Sequence, residues 1–206
     1  AVGYNVLFSE PAADPADDER LARAIAEHGQ IVLPVVPGSS AAESGAKSGS
    51  GAVSGSGTLR PLALLERSAA ALGHAEAPID RDGLVRRVAL SVGRGQDTWE
   101  AMPLAVQRVG APRAATAPPG TDARTPPHTP WWRDPMRLLP ASEATIPQVS
   151  ASALLRDPAQ STLLTGRVVW VGPTARGLEP GVSVPGPHGT DQLSAVHWQA
   201  RLHQAL

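Results

Sequence analysis

The chain has 206 residues, 42% of them hydrophobic but only 3% aromatic, and a net charge of −1. That is enough apolar material for one large domain with an aliphatic core, and too little excess charge for nucleic acid or anionic lipid to be the main partner. Cysteine is absent, which excludes disulfides, thiolate zinc sites and a cysteine nucleophile.

Ala1 to Phe8 reads as a strand that starts with no turn or cap before it, as in a segment of a longer protein. No run of 18 apolar residues and no signal-peptide pattern is present. Asp14 is a suitable N-cap, Pro15 suits the first helical position, and Asp17 and Asp18 favour the positive end of the helix dipole. Leu21, Ala22 and Ile25 mark one apolar face, and Gly29 stops the helix. Ile31 to Val36 is wholly apolar, as expected of a strand covered on both faces. Strand, helix and strand in this order predict a βαβ unit with parallel strands.

Positions 38–58 break the pattern: thirteen of the 21 residues are Gly or Ser, which predicts a flexible surface insertion. Leu59 to Leu72 returns to helical spacing, with Leu62, Leu65, Ala69 and Leu72 on one stripe and Gly73 as the stop. Asp80-Arg81-Asp82-Gly83 is a turn in which the aspartates bond nearby amides and Gly83 takes positive φ. The alternation from Leu84 to Leu90 predicts a strand leaving it, in the manner of a hairpin. Thr98 to Val109 reads as a helix capped by Thr98. Six prolines between Ala111 and Pro130 predict a loop, and Trp131-Trp132 at its end reads as cover for a sheet edge. Val149 to Leu155 predicts a short helix capped by Ser150 or Ser152. Gly166 to Gly172 is the clearest buried strand, and a final helix runs from a cap at Thr190 or Asp191 to Leu206. Leu193, Val196, Ala200 and His203 face inward. The fold class is therefore α/β, a layered sandwich with a mixed, largely parallel central sheet flanked by helices.

Several segments, taken together, resemble one family. They are Val6-Leu7-Phe8-Ser9-Glu10-Pro11 before an acidic helix, Leu72-Gly73-His74, Asp80 to Arg87, Val149-Ser150-Ala151 with Leu154 and Leu155, and Gly166 to Gly172 with Ala175, Gly177 and Leu178. In this order they are similar to the type-two CHASE domain, the extracytoplasmic sensory module of bacterial transmembrane receptors. The resemblance implies sensing of an unidentified small-molecule ligand or other stimulus, a homodimer in the full receptor, and catalytic output by a separate cytoplasmic cyclase or kinase. The domain itself would be no enzyme and would need no cofactor. The membrane would be reached only through helices that lie outside this chain, as does the family's first strand. The chain departs from the family in having Asn5 where an aspartate is usual. Near the other end Leu193-Ser-Ala-Val-His197-Trp keeps a histidine and loses a glutamate.

Six residues are candidates for ligand binding: Glu10, His74, Asp80, Asp82, Arg86 and Gly177. Arginine forks suit carboxylate or phosphate, and the aspartates could orient them. Equally, the aspartates could cap the turn while Arg86 and Arg87 form surface pairs; on a strand these two arginines would face opposite sides. His74 reads either as a satisfied core or capping histidine or as a ligand contact. Glu10 and Gly177 follow strands whose carboxyl ends, in parallel sheets, border ligand crevices. The histidines lack metal-ligand spacing, so no metal site is expected. Gly49-Ser50-Gly51 has no strand before it and is no nucleophile elbow. The rival to a sensor is a ligand-free structural module that holds receptor subunits together.

Overall fold

The computed structural model describes residues 1–37, 58–94, 97–111, 132–133, 136–138, 146–175, 178 and 181–206. The Gly/Ser insertion, most of the proline-rich loop, Trp131 and Gly177 lie outside the described residues. The elements in order are β1 (Val2–Tyr4), α1 (Pro15–His28), β2 (Ile31–Val35), α2 (Ala63–Ser68), β3 (Ala71–His74), β4 (Arg87–Ala89), β5 (Ser91–Arg94), β6 (Asp97–Glu100) and α3 (Met102–Gly110). They continue with β7 (Trp132–Arg133), β8 (Met136–Leu138), α4 (Ala151–Arg156), a 3-10 segment (Pro158–Leu164), β9 (Val169–Val171), β10 (Val182–Gly186), β11 (Gly189–Leu193) and α5 (Ala195–Ala205).

Helix α1 forms where its caps place it. Asp14 accepts from the Ala16 N–H at 3.0 Å, and Gly29 at φ 69° turns the chain while its N–H bonds the Ile25 carbonyl. Ala22 and Ile25 are buried on its inner face. The chain then enters β2, which pairs in parallel with both β1 and β3, while β9 flanks β1. The sheet order β3-β2-β1-β9 is all parallel and confirms the α/β layered class. Every residue of β2 is buried, because successive side chains meet opposite layers. Leu33 packs with Ile25 and Leu65 under α1 and α2, and Val32 packs with Met102, Ala105 and Val106 of α3.

Several sequence expectations shift here, each for a tertiary reason. The helix expected over Leu59–Leu72 covers only Ala63–Ser68; Leu59 bridges Val36, and Leu72, Gly73 and His74 form a third parallel strand against Leu33, Pro34 and Val35. Gly73 is therefore a strand residue and stops no helix. Thr98 caps no helix either, since Asp97–Glu100 pairs with Ser91–Arg94 and α3 begins at Met102. The last helix starts at Ala195, capped by Ser194, because Gly189–Leu193 pairs with Val182–Gly186 as a hairpin. The opening strand is shorter than Ala1–Phe8; beyond Tyr4 the segment turns away, and the Tyr4 and Phe8 rings meet at 5.4 Å. β9 is an edge strand with half-buried residues, rather than a fully covered one. The turn at Asp80–Gly83 forms as expected, with Gly83 at φ 84° and its N–H bonded to the Asp80 carbonyl. It leads to no hairpin with β3, since β4 pairs with β8.

Candidate functional site

The expected site residues fall into separate places. His74, at the end of β3, is 1% exposed. Its Nδ1 faces the Glu76 N–H at 3.3 Å and therefore accepts, which makes Nε2 the donor to the Ala89 carbonyl at 3.0 Å. This pairing is that of an Nε2–H ring, and it ties β3 to β4. Glu10 is exposed in the loop after β1. At the carboxyl ends of β1 and β9, the first turn of α5 closes over Gly172: a Cβ there would stand 2.8 Å from the Val196 Cβ and 3.3 Å from the Asn5 carbonyl oxygen. Asn5 itself is 9% exposed, and its N–H bonds the Val171 carbonyl at 2.7 Å.

Asp80, Asp82 and Arg86 are brought together, and Arg87 joins them. Arg86 Nη1 donates to Asp80 Oδ2 at 3.1 Å and to Asp82 Oδ1 at 2.9 Å, and its Nη2 donates to Asp82 Oδ2 at 2.6 Å. Arg87 Nη2 donates to Asp80 Oδ1 at 2.6 Å. The two arginines do not point to opposite sides, because β4 begins only at Arg87. Two carboxylates and two guanidiniums neutralise one another and clasp the turn. The Arg86 fork holds the Asp82 carboxyl at about 2, against an ordinary 3.8, with a smaller contribution from the Leu84 N–H. Asp80 is lowered too, first by Arg87 and then by Arg86.

This depression has a testable sign. A carboxyl whose folded pKa lies below its unfolded value stabilises the fold above the unfolded pKa, and that contribution is lost as pH falls through the folded one. For Asp82 the window runs from the ordinary aspartate range down to about 2. Carboxyl-carbon NMR titration is expected to place Asp82 near the bottom of that window. In Arg86→Met its midpoint should return to the ordinary range; an unmoved midpoint would remove Arg86 as the cause.

An open cleft lies elsewhere, at the amino ends of the parallel strands. Its volume is about 830 Å³, within the range of small-molecule sites. Val2 at the start of β1, Val169 at the start of β9, Val106 in α3 and Leu164 at the end of the 3-10 segment supply apolar wall. Gln107, Arg167 and His203 bring polar groups to it, and Ala1, His28 and Gln30 border it. Gln107 Nε2 donates to the His203 carbonyl at 3.3 Å, which joins α3 to the last turn of α5. The His203 ring meets Trp170 edge-on, with centroids 5.9 Å apart. Burial pushes the His203 pKa down, against a smaller opposing pull from the Pro103 carbonyl, so the neutral ring is favoured. No group of three or more acidic or histidine side chains among the described residues is placed to hold a metal.

Sequence reasoning looked to the carboxyl ends of the strands and missed this cleft. Arg167 and His203 were both visible, one beside the expected strand β9 and one on the inward stripe of the last helix. What brings them together is the pairing of β9 beside β1 and the packing of α5 against α3, and neither leaves a local signal. Among known families, the model of the CHASE2 domain matches residues 1–206. No curated protein and no solved structure matches the chain.

Proposed function

The chain belongs to the CHASE2 domain family, extracytoplasmic sensory domains of signalling receptors, and from this we infer that it detects a small-molecule ligand outside the membrane of a bacterium and biases a cytoplasmic cyclase or kinase. The observation that carries this reading is the family match over the full 206 residues. The physical support is the seating of α5. Its Trp198 and Leu202 enter the core cluster with Val85, Val88 and Val184, while His203 borders the cleft. A ligand shifts such a domain only by its differential affinity for two arrangements, so an element that spans core and cleft is the natural carrier of the change. Catalysis belongs to the separate output domain in this reading.

The test is a receptor that carries residues 1–206 as its outer domain and has a readable output. One alanine inserted after Leu206 turns whatever continues the helix by about 100°, and is expected to change output several-fold. Unchanged output overturns the assignment of α5 as the transmitting element. A ligand-free dimerisation module is the competing reading. It draws on the uncovered apolar surface of α4 and the 3-10 segment, where Leu155 is 84% and Leu163 60% exposed. Dimers that dissociate in Leu155→Glu, in a domain that no small molecule stabilises, would favour that module.

A further inference from the structure

We propose that the cleft at the amino ends of the parallel strands is the sensory site, and that it takes a small organic carboxylate with an apolar body, held by Arg167 and read by α5 through His203. This rests on the sensory reading above and names the site and the ligand class. Charge selects the sign. Arg167 is the one permanently charged side chain among the lining residues, and no aspartate or glutamate lines the cleft. Arg20, Arg60, Arg86, Arg87, Arg108 and Arg201 pair with carboxylates, and of the described arginines without an ion pair only Arg167 lines the cleft. Arg167 makes no ion pair among the described residues, so its fork is available to an incoming anion.

The same account selects a monoanion. Among the lining side chains one guanidinium balances one carboxylate, whereas a phosphate dianion would leave a second charge for which no lining side chain carries a permanent partner, against valine and leucine walls. Those walls, from Val2, Val106, Leu164 and Val169, suit an aliphatic or aromatic body whose burial adds affinity in proportion to area. Gln107 adds a polar contact at the α3 side.

The site is also coupled to the element that would move. Gln107 bonds the His203 carbonyl, so a ligand that engages Gln107 competes for or redirects a bond that pins the end of α5. Four buried side-chain atoms lack a hydrogen-bond partner among the described residues: Trp198 Nε1, Gln199 Oε1 and His203 Nδ1 on α5, and Trp170 Nε1. Trp170 is the ring that His203 meets. Unsatisfied buried polar groups are costly, and here they gather on one helix and the strand residue against it. The seat of α5 thus holds three of these four atoms, and a displacement that brings them partners is favoured.

Hexanoate is the probe, with hexylammonium and hexanol as controls of the same length. Titration of the isotopically labelled chain, read at the Trp170 indole and Gln107 amide signals, is expected to give saturable shifts with hexanoate and none with hexylammonium. Arg167→Gln changes an exposed residue and is expected to weaken hexanoate binding by about tenfold. Absence of saturable hexanoate shifts, an equal response to hexylammonium or hexanol, or unchanged affinity in Arg167→Gln overturns the proposal. If that occurs while the alanine insertion after Leu206 still alters receptor output, the cleft assignment fails and the sensory reading with α5 as its transmitting element stands; loss of both results removes α5 as the transmitting element as well.

Discussion

Replacing His74 with alanine is expected to cost about 4 kcal/mol of folding stability, the sum of a core cavity and lost polar contacts. The ring sits at the end of β3 with 1% exposure, and its two nitrogens serve different chains of structure. Nε2–H reaches across to the Ala89 carbonyl on β4, and Nδ1 accepts from the Glu76 N–H just beyond β3. Alanine removes both contacts and leaves the volume of an imidazole between elements that close packing keeps from collapsing. His74→Gln, which can keep one of the two bonds, should lose less. Urea unfolding of the three proteins measures this directly, and a loss below about 1 kcal/mol in His74→Ala would show that the ring does not tie the strands. The result bears on function, because a ligand at His74 would have to displace one of these two bonds.

The neighbouring residue gives the second large effect. Gly73→Ala is expected to destabilise by about 3 kcal/mol, at the upper end of overpacking costs. Gly73 does not have positive φ, so the cost is steric rather than conformational. An added Cβ would stand 2.6 Å from the Met102 Cα and 3.1 Å from the Met102 N. Those are backbone atoms at the start of α3, and they cannot swing aside as the end of a side chain can. The whole helix must lift from the sheet, which loosens Ala105 and Val106 against Val32. Adding Met102→Ala to Gly73→Ala therefore restores little, since the obstructing atoms remain. Recovery of stability in the double variant would place the clash in the methionine side chain instead.

Both substitutions lie in a segment whose role depends on partners far along the chain. Leu62, Leu65, Ala69 and Leu72 fit a helical stripe, yet Ala71–His74 becomes a strand because β2 offers it a parallel edge. The same outcome recurs at Thr98 and at Thr190 and Asp191. Each is a good capping residue, and each lies instead in a strand that pairs antiparallel with a neighbour, so the helix starts only after the pairing ends. Local chemistry allowed both conformations there, and the ladder bonds decided between them.

What the sequence determined by itself is what local chemistry and burial pattern can specify. Asp14, Pro15 and Gly29 set both ends of α1. The unbroken apolar run of β2 announced a strand covered on two faces. Asp80 to Gly83 specified a turn, and the collinear markers from Val6 to Leu178 identified the family. The candidate site was less legible. Asp80, Asp82 and Arg86 are near enough in sequence to meet, and they do meet, but in satisfying one another they form a clasp. Only the tertiary structure decided where open space and an uncommitted cation coincide. Val2, Val106, Arg167 and His203 span almost the whole sequence and share one cleft. They do so because β9 pairs beside β1 and α5 packs across α3, long-range contacts that no local window of sequence encodes.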